Sequence, residues 1–102
     1  MSDSEDFPRL SAKERVILDL LVQNGEMYGL ELVTRSGGEL ARGTVYVTLD
    51  RMAEKGFVES RQEDRLPGVP GIRRRLYKVT GRGQRVLEAV ELARAHLVME
   101  GV

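Results

Sequence analysis

Arg42-Gly43-Thr44-Val45-Tyr46-Val47-Thr48-Leu49-Asp50-Arg51-Met52-Ala53-Glu54-Lys55-Gly56-Phe57-Val58-Glu59-Ser60-Arg61 is the stretch in which one period of burial gives way to another. Up to Lys55 the apolar residues Val45, Leu49, Met52 and Ala53 fall on one face at helical spacing. This predicts a helix over about 42–55, with a weak start because Ala41 stands where a capping Ser or Asn would help. Gly56 suits the residue just past a helix end. From Phe57 to Arg61 the pattern is that of a strand.

Upstream, Ser11-Ala12-Lys13-Glu14 has the form of a capping box, in which hydroxyl and carboxylate each satisfy an opening amide. Val16, Ile17, Leu20 and Leu21 then share a helix face, and Asn24-Gly25 stops the helix. A shorter helix is expected over about 27–36, with Leu30 and Val33 inward, ended by Gly37-Gly38. Downstream, Arg65-Leu66-Pro67-Gly68-Val69-Pro70-Gly71 is turn chemistry between the first strand and a second one over 73–79. Thr80 caps a final helix reaching about Met99, with Val86, Leu87, Val90, Ala93 and Leu97 on one side.

Three helices, a hairpin and a helix make a mainly α chain with a small β-hairpin. The order is that of a winged helix-turn-helix with a C-terminal helix left over. The expected divisions are a lead over 1–10, a winged helix-turn-helix over 11–80 and a dimerisation helix over 81–102. The stripe of Val86, Leu87, Val90, Ala93 and Leu97 has no further core to cover once the three helices close. Burial across a two-fold axis against a second copy is the favoured reading, and packing back on the same domain is the alternative.

Chemistry is poorly supplied. There is no cysteine, which excludes disulfides and thiolate metal sites. His96 is the single histidine, and no second ligand stands at metal-binding spacing from it. Gly81-Arg82-Gly83 is too short for a phosphate-cradling loop. No catalytic residue, metal or cofactor is expected. No apolar run approaches the ~20 residues of a membrane-crossing helix. Met1 to Asp6 is acidic and polar, unlike a secretory leader, so a cytoplasmic protein is expected.

Net charge is zero, but it is unevenly spread. Residues 1–40 carry −4, residues 41–85 carry +6 and residues 86–102 carry −2. A basic middle between acidic ends suits a polyanion surface, although chance clustering of solvated charge gives the same sum. On the helix over 42–55, the face opposite the buried stripe shows Thr44, Val47, Thr48, Arg51 and Lys55, with Arg42 at its start. Hydroxyls, a small apolar group and cations suit a major groove, though an ordinary amphipathic helix also has a mixed polar face. The hairpin adds Arg61, Arg65, Arg73, Arg74, Arg75 and Lys78 against Glu59, Glu63 and Asp64. Charge on strand edges guards against aggregation. Three consecutive arginines exceed that need and favour contact with nucleic acid.

Tyr28-Gly29, Gly43-Thr44-Val45-Tyr46 with Leu49 and Met52, Gly56-Phe57-Val58, and Arg74-Arg75-Leu76-Tyr77-Lys78-Val79-Thr80 with Gly83 together resemble the PadR-like family of regulators. The likeness runs in order over about residues 14–90. Val47 stands where that family usually has Pro, Tyr28-Gly29-Leu30 replaces a usual His-Gly-Tyr, and Ala41 replaces a frequent Ser. The resemblance implies that the second and third helices form the helix-turn-helix. It also implies that Tyr28 and Arg42 lie near phosphates and that Thr44 to Arg51, Tyr46 included, enter the groove. The last helix would then dimerise. A small-molecule effector, often aromatic or amphiphilic, is implied as well, and Phe7, Leu10 and the last helix are its expected lining. The function expected is a sequence-specific DNA-binding repressor acting as a homodimer on an inverted repeat. The rival is a winged-helix module whose basic hairpin grips an acidic protein.

Overall fold

The computed structural model describes residues 9–63 and 74–100, the last four of these by backbone alone. Its elements are α1 (Ala12–Asn24), β1 (Met27–Tyr28), α2 (Gly29–Arg35), α3 (Val45–Glu54), β2 (Val58–Gln62), β3 (Arg75–Val79) and α4 (Gly81–Glu100). The three strands form one antiparallel sheet in the order β1-β3-β2. Val58 lies opposite Val79 and Ser60 opposite Tyr77, while Met27 pairs with the other edge of Tyr77.

The expected capping box is present. Glu14 N–H donates to Ser11 Oγ at 3.1 Å, and Ser11 N–H donates to Glu14 Oε1 at 2.9 Å. The reciprocal pair fixes the start of α1, and Gly25, with φ 78°, ends it. The buried face is Ile17, Leu18 and Leu21, with Val16 and Leu20 half-buried beside it. Leu18 falls outside the face that the spacing predicts. Leu10, expected in an effector-site lining, is half-buried against this core, and Phe7 lies outside the described residues.

The second helix is shorter than its pattern. Met27 and Tyr28 are extended and add a third strand, so the helix begins only at Gly29. Its inward residue is Leu32, wholly buried, whereas Leu30, expected inward, is 44% exposed. Leu40 closes the core in the loop that follows. There the Ser36 hydroxyl donates to Val33 O at 2.8 Å and accepts from Leu40 N–H at 3.0 Å.

α3 begins at Val45, after a turn over 42–44. Val45, Leu49 and Met52 are buried as expected, but Ala53 is exposed. Its end is a Schellman motif. Phe57 N–H reaches Met52 O at 2.9 Å and Gly56 N–H reaches Ala53 O at 3.0 Å, with Gly56 at φ 79°. The chain leaves directly into β2, so the helix end sets the direction of the hairpin.

The return from β3 is tied to the same point. Thr80 N–H donates to Phe57 O at 3.0 Å, and its hydroxyl donates to Gly56 O at 2.6 Å while accepting from Gly83 N–H at 3.0 Å. Thr80 thus caps α4 and locks both ends of the hairpin to the core. Leu87, 7% exposed, belongs to that core, and Val86 packs partly against it. The expected dimer stripe is corrected here: its first turn is spent within the chain. Arg15 of α1 braces the next turn by pairing with Glu91 at 3.0 Å.

Candidate nucleic-acid interface

One flank of α3 shares a groove of about 640 Å³ with the start of α1, lined by Ser11, Lys13, Thr44, Val47, Thr48, Arg51 and Lys55 among others. Val47 is 52% exposed, and Thr44 and Arg51 are exposed as well. The Thr48 hydroxyl donates back to Thr44 O at 3.2 Å, which fixes its rotamer and leaves its oxygen able to accept. Arg42 sits exposed in the turn before the helix. These positions match the face picked out in the sequence.

Lys55 does not behave as an open groove cation. Its ammonium lies 2.8 Å from Glu14 Oε2, joining the end of α3 to the start of α1. Burial pushes the Glu14 carboxyl up, but Lys55 and the Ser11 amide more than offset this, so it lies below the usual carboxylate range. A depressed carboxyl contributes stability above its unfolded value, near pH 4.3, which is lost as pH falls through the folded value. Glu14→Gln keeps a capping side chain and should flatten that acid limb of the stability curve, at a cost of about 1 kcal/mol at neutral pH. Thermal melts from pH 7 to pH 3 read both effects. An unchanged acid limb would show that Glu14 does not carry it.

The other flank of α3 faces the hairpin. Tyr46 lies against Gly29, where a Cβ would come within 2.6 Å of its ring, so glycine permits α2 and α3 to approach there. Tyr28, Gly29, Tyr46, Arg74, Arg75 and Tyr77 are among the residues lining a cavity of about 400 Å³ between α2, α3 and β3. The Arg74 guanidinium stacks over the Tyr28 ring, 4.9 Å from its centroid. The Tyr28 hydroxyl donates to the Glu63 carboxylate, which holds the phenol above its usual ionisation range. Burial raises the Tyr77 phenol in turn.

The hairpin's positive charge is partly consumed. Arg61 forks onto Glu26 with both distances at 2.9 Å, and Lys78 pairs with Glu59 at 3.3 Å. Arg75 donates to Ser60 Oγ at 2.9 Å, which orients it without neutralising it. Arg65 and Arg73 lie outside the described residues. Arg74 and Arg75 are therefore the cations this surface presents at the outer end of the described hairpin ladder, together with Arg51 and Arg42 on and before α3. The Tyr28–Glu63 contact was not visible in the sequence, because it joins residues 35 positions apart.

Of the expected dimer residues, Leu87 is in the core, Val86 and Val90 are half-buried, and Ala93 is exposed. The side chain of Leu97 lies outside the described residues. Residues 91–96 are all exposed, and Leu92, which is not part of the expected stripe, is 73% exposed.

The family model described as "Transcriptional regulator PadR-like family" matches residues 17–89, which takes in every element just described from mid-α1 into α4. The chain belongs to the PadR-like family. Its members are transcriptional regulators rather than enzymes. A PadR family transcription regulator from Clostridium difficile R20291 is 25% identical, with a TM-score of 0.67 over 88% of this chain and 93% of that one. The YusO protein from Bacillus subtilis shares the fold at a TM-score of 0.77 and 16% identity, over 91% of this chain and 61% of that one. Bacillus subtilis PadR, solved in complex with operator DNA, matches at a TM-score of 0.64 and 20% identity, over 78% of this chain and 46% of that one. The chain thus spans less than two thirds of the length of YusO and under half that of PadR. No curated protein sequence matches it significantly. Among the described residues no helix is long and apolar enough to cross a membrane, and no cluster of acids and histidine could hold a metal.

Proposed function

We propose that this PadR-like chain is a cytoplasmic, sequence-specific DNA-binding repressor that acts as a homodimer on an inverted repeat. Residues 11–80 would carry the DNA contacts and 81–102 the dimer contact. The observation that carries the reading is the outward face of α3. Thr44, Val47, Thr48 and Arg51 stand in a row suited to base edges, and Tyr46 on the same helix borders a cavity shared with Arg74 and Arg75. Helix side chains can then read a major groove while the hairpin arginines Arg74 and Arg75 meet the adjoining backbone. That a structural neighbour, Bacillus subtilis PadR, is solved in complex with operator DNA supports DNA as the partner. Selection of bound sequences from a random duplex pool tests it. An enriched inverted repeat with half-sites about one helical turn apart, roughly 34–36 Å, is the expected result. No enrichment, with retention on an acidic protein column, would favour the rival protein-binding module.

The dimer reading rests on the exposed second half of α4, where Leu92 and Ala93 are open while Leu87 is not. Leu92→Glu with Ala93→Glu should therefore give a folded monomer, with operator binding weakened at least tenfold. Light scattering that still reports a dimer would place the interface elsewhere. Leu87→Glu is unsuitable for this purpose, because it buries a charge in the chain's own core.

A further inference from the structure

The hairpin leaves the core supported on one side for only two residues. β1 pairs Met27 and Tyr28 with Tyr77 and Leu76, and the next residue already opens α2. Beyond that point β2 and β3 hold only each other, and the last described rung is Glu63 N–H to Arg74 O at 2.7 Å. A bare two-stranded hairpin is marginal in water. Tyr28 touches both of its strands at this rung. Its hydroxyl binds the Glu63 carboxylate and its ring carries the Arg74 guanidinium. Tyr28 is itself fixed, because its N–H donates to Glu31 Oε1 at 2.8 Å.

Glu63 and Arg74 face each other across the ladder with opposite charges, yet no ion pair joins them among the described residues. The phenol engages the carboxylate, and the ring holds the guanidinium by its face, leaving its N–H edge open. We propose that Tyr28 is a positioning residue of the wing, keeping Glu63 off Arg74 so that the Arg74 guanidinium is presented to a DNA phosphate, without itself contacting the DNA. This rests on the DNA-binding reading and differs from the phosphate contact that the resemblance implied for Tyr28.

Rescue separates the two roles. Tyr28→Phe frees the carboxylate to capture Arg74. It should weaken binding to the selected duplex five- to tenfold and lower the log–log salt slope by about 0.9 per half-site, the value of one neutralised phosphate. Adding Glu63→Gln removes the captor and should restore affinity to within twofold of the parent. In an Arg74→Ala background, Tyr28→Phe should cost nothing further. A weakening that Glu63→Gln does not relieve, an undiminished weakening in the Arg74→Ala background, or no weakening from Tyr28→Phe would each overturn the proposal. A DNA-free arm isolates it from the functional reading. In the free chain the ring-current shift of the Arg74 side-chain protons should shrink in Tyr28→Phe and return with Glu63→Gln. If that signal behaves so while no duplex binds, the functional reading fails and the contact stands. If the signal is insensitive to both changes, the positioning role is refuted.

Discussion

Arg51→Ala is expected to lower affinity for the cognate duplex by about 1–3 kcal/mol per half-site and to relax preference at one base pair in each. Arg51 is exposed on the groove face of α3 and, among the described residues, carries no ion pair. Its fork of donors is thus open to a base edge, most favourably the two acceptors of guanine. Arg74→Ala should behave differently. It should weaken cognate and scrambled duplexes alike and flatten the salt dependence by about 0.9 in log–log slope for each phosphate it no longer neutralises. In a dimer each substitution acts twice. Titrations of both variants on both duplexes at several salt concentrations separate the roles. Equal weakening on cognate and scrambled DNA from Arg51→Ala would remove α3 as the reader of sequence.

The second large effect is on stability. A Cβ on Gly83 would sit 2.2 Å from Phe57 O and 2.9 Å from a Val79 methyl. The carbonyl is backbone and already accepts from Thr80 N–H, so it cannot swing aside without breaking the lock between α4 and the hairpin. Gly83→Ala should therefore destabilise by at least about 3 kcal/mol, at the upper end of overpacking costs. Ala favours a helix more than Gly by about 1 kcal/mol, which makes the sign diagnostic. Chemical denaturation of the two chains reads the difference. A stabilised Gly83→Ala variant would mean that the α4 junction is looser than its geometry.

Much of this fold could be read in advance because its punctuation is local. The Ser11–Glu14 box, the glycines at 25 and 56, and Thr80 each act within a few residues of themselves. Elements too short for a period were misread. Met27-Tyr28 is two residues of strand, and the helix over 29–35 completes barely two turns, so either Leu30 or Leu32 could have been its inward side chain. Leu32 won because α2 packs against α3 through the bare Gly29 beneath Tyr46, a tertiary fact. On the candidate surface, Thr44, Val47 and Arg51 followed from helix phase alone. The engagement of Lys55 by Glu14, Arg61 by Glu26 and Tyr28 by Glu63 did not, because each joins residues far apart in the chain. Charge counted along the sequence overstated what the hairpin offers to a polyanion. Leu87 shows the same limit, since only the position of α1 and β3 decided that the start of α4 was already covered.

The joint at Gly56, Phe57, Thr80 and Gly83 has a mechanical consequence. It fastens the tail of α3 to the head of α4 through two hydrogen bonds and one close backbone approach. α4 is 20 residues long, a rod of about 30 Å at 1.5 Å per residue. Turning such a rod by about 5° about its outer end would carry α3 sideways by roughly 2.6 Å, most of the rise of one base pair. In the proposed dimer, the angle at which two such rods cross would then tune the fit of a pair of reading helices to the pitch of DNA. Anything that wedges the rods apart at their far ends would act on the operator from that distance.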